Sequence, residues 1–324
     1  MTEQRWDLVA DIGGTNARFA ALREGQLESE FEFYHSVEEY PQFSDLIVKL
    51  RDEIALATGF VGAPHSVCLA VACPADAEHI SFTNSHWEFT KTHFLEWFGC
   101  QNLVVINDFE AVAHGITELG PEDSIKIGGG EPQLHKPVGI LGAGTGLGMA
   151  ALISHSDGYH VLDTEGGHAD FAPVGQRQMD VLTCLLESYK RVSLERVLSG
   201  KGIVNIYNAI CQMDGTDPTL TTPPDVVAAA LDNSNPQALT ALYTFCESMG
   251  AAAGNLALTL GAKGGIYIAG GVVPRFSEFF VNSGFREKFE DKGRFASYLE
   301  PIPVYLVTHN KLGLLGAAKK LQNA

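Results

Sequence analysis

The sequence predicts an α/β protein of two domains, and three observations predict it. Short apolar runs of strand length alternate with longer stretches in which apolar residues recur at helical spacing. A unit of strand, glycine turn and returning strand occurs at residues 8–22 and again at 138–153. The chain has 324 residues, a length that fits about two domains. No low-complexity linker divides it, so the boundary is expected at a hinge just after Asp108, in or beyond the helix that follows.

The elements follow in order. Leu8-Val9-Ala10 and Phe19-Ala20-Ala21-Leu22 flank Gly13-Gly14, the pattern of a hairpin with a glycine turn. Residues 31–34 alternate with period two and read as a third strand. Tyr40, Phe43, Leu46, Ile47, Leu50 and Ile54 recur at helical spacing, so that helix buries one stripe against the sheet. Residues 67–72 form a continuous apolar run that Pro74 stops, as suits a strand buried on both faces. A hairpin-like 79–82, a short helix around Phe94 and Phe98, and a buried strand at 103–106 complete the first part. Residues 138–141, 149–153 and 159–162 then repeat the three-strand opening in outline. Helices are expected at 179–189, 203–211, 226–231 and 238–260, a strand at 265–269, a last strand at 304–307 and a last helix at 314–321.

Composition excludes several classes of partner. Hydrophobic residues make up 45% and charged residues 19%, the profile of a soluble globular chain. Lys and Arg number 22 against 39 Asp and Glu, a net charge of −17. A surface so acidic repels nucleic acid and anionic membrane, so neither is an expected partner. A nucleotide is compatible, since it needs only a local nest of N–H groups and a cation. Glu3, Arg5 and Asp7 precede the first apolar run, so no secretory signal is expected. The longest weakly polar stretch, 249–262, contains Asn255 and is too short to span a bilayer. Cys68, Cys73, Cys100, Cys184, Cys211 and Cys246 form no C-x-x-C pair, several sit inside apolar runs, and they read as reduced core thiols of a cytoplasmic protein. Zinc spacing and the P-loop pattern are absent from the sequence.

Six sites could carry chemistry. Asp11-Ile12-Gly13-Gly14-Thr15-Asn16 offers a turn in which glycine permits φ > 0 and close approach, and it reads either as a phosphate cradle or as a bare hairpin. The loop 142–148 invites a dinucleotide reading that fails, because Leu147 stands where G-x-G-x-x-G needs glycine and a strand follows. Gly270-Gly271 is a third glycine turn at a strand end. Asp108 is either the N-cap of the helix behind it or a general base at the carboxyl end of a strand. Glu165-Gly166-Gly167-His168 offers a carboxylate and an imidazole suited to a vicinal diol, or a solvated surface loop. Glu195 complements a helix start or pairs with Arg196, unless it too serves a ligand.

Together with Ala72-Cys73-Pro74, Thr83-Asn84, Ile106-Asn107-Asp108-Phe109, Glu195-Arg196-Val197-Leu198-Ser199-Gly200 and Ala269-Gly270-Gly271-Val272-Val273-Pro274-Arg275, these stretches resemble the bacterial-type glucokinases. Order and spacing match from residue 7 to the C-terminal helix. The resemblance implies a two-domain actin-like ATPase (ribonuclease H-like) fold with an interdomain cleft. It implies a small α/β domain of residues 1–117 plus 310–324 and a large α+β domain of 118–309. It also implies transfer of the γ-phosphoryl group of ATP to the 6-hydroxyl of glucose, with Mg²⁺, in a cytoplasmic homodimer of glycolysis. By position Asp108 matches the catalytic base, and Asn84, Asn107, Asp108, Glu165, His168 and Glu195 match sugar-binding positions. Gly13, Gly14, Thr15 and Asn16 match one phosphate turn, Gly144 and Thr145 the second, and Gly270 and Gly271 the adenosine side. Asp11 matches the carboxylate that holds the metal through water. Two positions depart from the family: Asp163-Thr164 replaces Pro-Gly before Glu165, and Leu312 replaces Pro before the last helix. The competing class is a nucleotide-regulated sugar-binding or chaperone-like ATPase module on the same fold.

Overall fold

Trp6–Ile12 forms strand β1, with five of its seven side chains buried, as in a strand covered on both faces. It turns back into β2 (Asn16–Arg23), which pairs with β3 (Phe31–Ser36). Helix α1 (Phe43–Thr58) follows, closed by Gly59 in the left-handed region, and then β4 (Ser66–Val71). A two-stranded ribbon, β5 (His79–Ser81) with β6 (Glu88–Thr90), leads through α2 (Lys91–Phe98) and β7 (Asn102–Asn107) to α3 (Asp108–Ile116). The computed structural model describes residues 5–82, 85–156 and 158–323. Its sheet in this part has the order β3-β2-β1-β4-β7, antiparallel at first and parallel from β1 onward. One face carries an aromatic cluster in which Phe43 meets Trp87, Phe89 and Phe94. The other face buries Val9, Cys68 and Ala70 under Leu314, Ala317 and Ala318 of the C-terminal helix, Leu312–Gln322.

The second unit, Gly120–Thr308, interrupts the first, which ends at Leu119 and resumes at His309. It comprises β8 (Ser124–Lys126), β9 (Val138–Ala143), β10 (Leu147–His155), β11 (Gly158–Thr164) and helices α4 (Gly175–Ser188), α5 (Gly200–Asp214), α6 (Pro223–Leu231) and α7 (Pro236–Leu260). Then come β12 (Gly265–Ala269), the short helices α8 (Ser277–Val281), α9 (Phe285–Glu290) and α10 (Ala296–Leu299), and β13 (Val304–Val307). Sheet order is β11-β10-β9-β12-β13-β8. Counted within each sheet with β8 set aside, both run third, second, first, fourth, fifth strand, and β8 adds at the edge of the second. α7 is held at its start by Asn235, whose side chain accepts from Ala238 N–H, and by Pro236 in the first turn. Among the described residues, no helix is long and apolar enough to cross a membrane.

Candidate active site

In the first unit the chemistry gathers at the carboxyl edge of three parallel strands. Ile12 lies opposite Val71, and Val71 opposite Asn107, so the β1–β2 turn and the start of α3 flank the same sheet edge. The turn itself corrects one expectation. Neither Gly13 nor Gly14 adopts positive φ, and the Gly13 N–H is spent within the turn on Asn16 O at 2.9 Å. What Gly13 provides is open space beside the backbone: a side chain there would meet only Asn16 O, at 3.6 Å. Thr15 and Asn16 are exposed there.

Asp11 faces Arg18 across the hairpin and packs against Gly313 at the start of the C-terminal helix. Burial pushes its carboxyl above the ordinary range, and the Arg18 guanidinium, which also donates to Asn310 O at 3.3 Å, only partly offsets this. A carboxylate so enclosed would gain from a further cation. Among the described residues no three His, Cys, Asp or Glu side chains converge to cage a metal. A lone carboxylate nonetheless suits Mg²⁺, which is held by one or two carboxylates, water and substrate phosphates.

The helix cap is Asn107, whose Oδ1 accepts from Phe109 N–H at 2.8 Å. That settles the cap role against Asp108, which is the partly exposed first residue of α3. The charge of Asp108 reaches Cys73, whose thiol is pushed up to about 11, mostly by burial. Asn84 falls outside the described residues.

In the second unit three segments converge on the loop after β9. Residues 166–168 and 194–196 each form a turn of 3₁₀ helix, and the segments around them pair. Phe171 N–H donates to Val192 O at 3.0 Å and Leu194 N–H to Ala169 O at 2.8 Å, with Asp170 bridged to Ser193. Arg191 fastens this pairing through Asp170 and His168 O. Glu165 and His168, both exposed, approach to 3.8 Å. Glu195 does not pair with Arg196. Its Oε2 accepts from Leu147 N–H at 3.1 Å, while Arg196 lies over the Tyr189 ring. Gly144 O accepts from Gly200 N–H at 2.9 Å. Gly270, at φ 85°, turns against Ala143, whose carbonyl accepts from Val272 N–H at 3.1 Å. Gly144, Thr145, Glu195, Gly270 and Gly271 therefore lie around one sheet edge, with Glu165 and His168 alongside.

Thr164 explains the departure in its own loop. It ends β11, where its hydroxyl donates to Met149 O at 3.0 Å and accepts from Gly166 N–H at 3.2 Å. A glycine could not make either bond, so the hydroxyl holds the turn that presents Glu165. Leu312, the other departure, is the first residue of the C-terminal helix and packs on Gly115 of α3. Sequence reasoning missed Gly146, Leu147 and Arg191, because each acts on a residue far away in the chain. The first unit presents an open turn at Gly13, an enclosed carboxylate and a strand-end carboxylate; the second presents glycine turns with open faces and a cluster of acceptors with one imidazole. Those are parts for holding phosphates, a cation and a polyol.

A family profile described as Glucokinase matches residues 8–324. A glucokinase of Tolumonas auensis is 46% identical over 317 residues, covering 97% of this chain and 96% of its own. The crystal structure of a glucokinase from an Antarctic psychrotroph superposes with a TM-score of 0.86 at 33% identity, covering 98% of this chain and 99% of its own. A glucokinase from Balamuthia mandrillaris, solved in complex with glucose, shares the fold with a TM-score of 0.85 at 21% identity, covering 99% and 94%.

Proposed function

The chain belongs to the glucokinase family and transfers the γ-phosphoryl group of ATP to glucose, giving glucose 6-phosphate and ADP, and from that premise we propose which residues perform each step. Asn84, Asn107, Glu165, His168 and Glu195 hold the sugar hydroxyls. Asp108 accepts the proton of the 6-hydroxyl as it attacks the γ-phosphorus. The turns at Gly13, Gly14, Thr15 and Asn16 and at Gly144 and Thr145 bind phosphate oxygens, and Gly270 and Gly271 adjoin the adenosine. Asp11 would hold Mg²⁺ through water, and the ion would neutralise charge on the phosphates. Phosphoryl transfer is mostly positioning and electrostatics, so correctly aimed N–H groups do much of the remaining work.

One observation carries the assignment of the base: Asp108 opens α3 directly after β7, at the strand edge where Asn107 lies opposite Val71 and Val71 opposite Ile12, beside the β1–β2 turn. Asp108→Asn is expected to lower kcat by about 10²–10⁴-fold, the usual range for a general base, while glucose affinity measured by calorimetry stays near the parent value. Turnover within about tenfold of the parent would remove Asp108 from that role. Six free cysteines, five of them buried, support a reducing setting such as the cytoplasm, and the family resemblance supports a place for the product in glycolysis. The family resemblance supports a homodimer, which light scattering would read directly.

A further inference from the structure

The glycine loop after β9 and the turn that presents Glu195 share one hydrogen bond. Glu195 Oε2 accepts from the N–H of Leu147, the first residue of β10. That bond depends on residue 146 being glycine, because a Cβ there would lie 2.4 Å from the same oxygen. Other ties keep the two segments together. The Ser199 hydroxyl donates to Glu195 O at 2.8 Å and accepts from Gly202 N–H at 3.0 Å. Gly200 N–H holds Gly144 O. The Leu147 carbonyl backs onto Gly167, where a Cβ would lie 1.9 Å from it. A carboxylate offers about four lone-pair sites, so one oxygen can hold the loop while the other accepts a sugar hydroxyl.

We propose that Gly146 is a positioning residue that lets Glu195 couple the two substrates, so that glucose and the nucleotide each bind more tightly when the other is present. The proposal rests on Glu195 as a sugar ligand and on Gly144 and Thr145 as a phosphate turn. A sugar hydroxyl that orders the Glu195 carboxylate also orders Leu147 and the loop before it. The nucleotide then meets a loop whose ordering cost is already met. The coupling is reciprocal by linkage, and both ends lie within the second unit.

Calorimetry on the full chain tests this, reading the affinity of ADP with Mg²⁺ in the absence and presence of saturating glucose. Gly146→Ala pushes the carboxylate oxygen away, and Glu195→Asp withdraws it by one methylene. In the parent, glucose is expected to tighten ADP by about tenfold or more. Each variant is expected to cut that factor by about fivefold, and the double variant to cut it no further, because both remove one interaction. A factor within about twofold of the parent in both variants overturns the proposal. If Gly146→Ala does not fold, Glu195→Asp gives the same test alone. Glucose affinity without nucleotide separates the two levels of the reading. If Glu195→Asp leaves it unchanged, Glu195 is not a sugar ligand and both readings fall; if it weakens while the coupling factor persists, only the coupling falls.

Discussion

Burial pushes the thiols of Cys68 and Cys246 up to about 12 and that of Cys73 up to about 11. The thiolate is the nucleophile, so at neutral pH these groups are inert in the folded chain. A disulfide reagent applied to native protein is expected to modify the partly exposed Cys184 first and to spare these three, while all six react in denaturant. Mass mapping that finds Cys68 or Cys246 modified before unfolding would contradict this. The apolar neighbours of these cysteines made their burial readable in advance. Asn107 and Asp108 were not separable that way. Which of two adjacent side chains turns back to the helix depends on the extended backbone at Asn107, at φ −64° and ψ 149°, and spacing does not encode it. Glu195 was readable as a carboxylate at a helix start, but its partner Leu147 lies 48 residues earlier.

At the scale of elements, α3 and the C-terminal helix approach closely through small residues. A Cβ on Gly316 would lie 1.7 Å from Ala111 O, so Gly316→Ala must push the helices apart. Denaturant unfolding is expected to show a loss of about 3 kcal/mol, the upper range for overpacking. The same pair is tied at its flank by Lys320 to Glu110 and Lys319 to Glu118, each at 2.8 Å. Burial alone would raise the Glu110 carboxyl, but the His114 ring, 3.7 Å away, and a hydrogen bond from Lys320 hold it below its ordinary value of 4.5. A carboxyl depressed on folding adds stability that is complete above pH 4.5 and fades as the pH falls through the lower folded value. Melting temperature is therefore expected to drop below pH 4.5, and Glu110→Gln to flatten part of that drop. Long apolar runs and helical stripes made most strands and helices legible, with ends displaced by a few residues. β8, β6 and the helices α8 to α10 were not, because segments of three to six residues are too short to show a period.

Across the whole chain, the repeated strand, turn and strand signalled a shared topology, and both sheets have the same strand order. Local pattern could not say where the last helix packs, since its partners Val9, Cys68 and Ala70 lie hundreds of residues before it. A chain stopped after Thr308 lacks that cover. Limited proteolysis of residues 1–308 is expected to degrade the first unit quickly and leave Gly120–Thr308 resistant, and equal protection of both would refute this. The return of the final helix to β1 also sets an order of events during translation. Val9, Cys68 and Ala70 leave the ribosome well before the helix Leu312–Gln322 that covers that face of their sheet. Until then Val9 and Ala70 form an apolar surface that a chaperone can hold, and slow synthesis of the intervening residues prolongs that exposure.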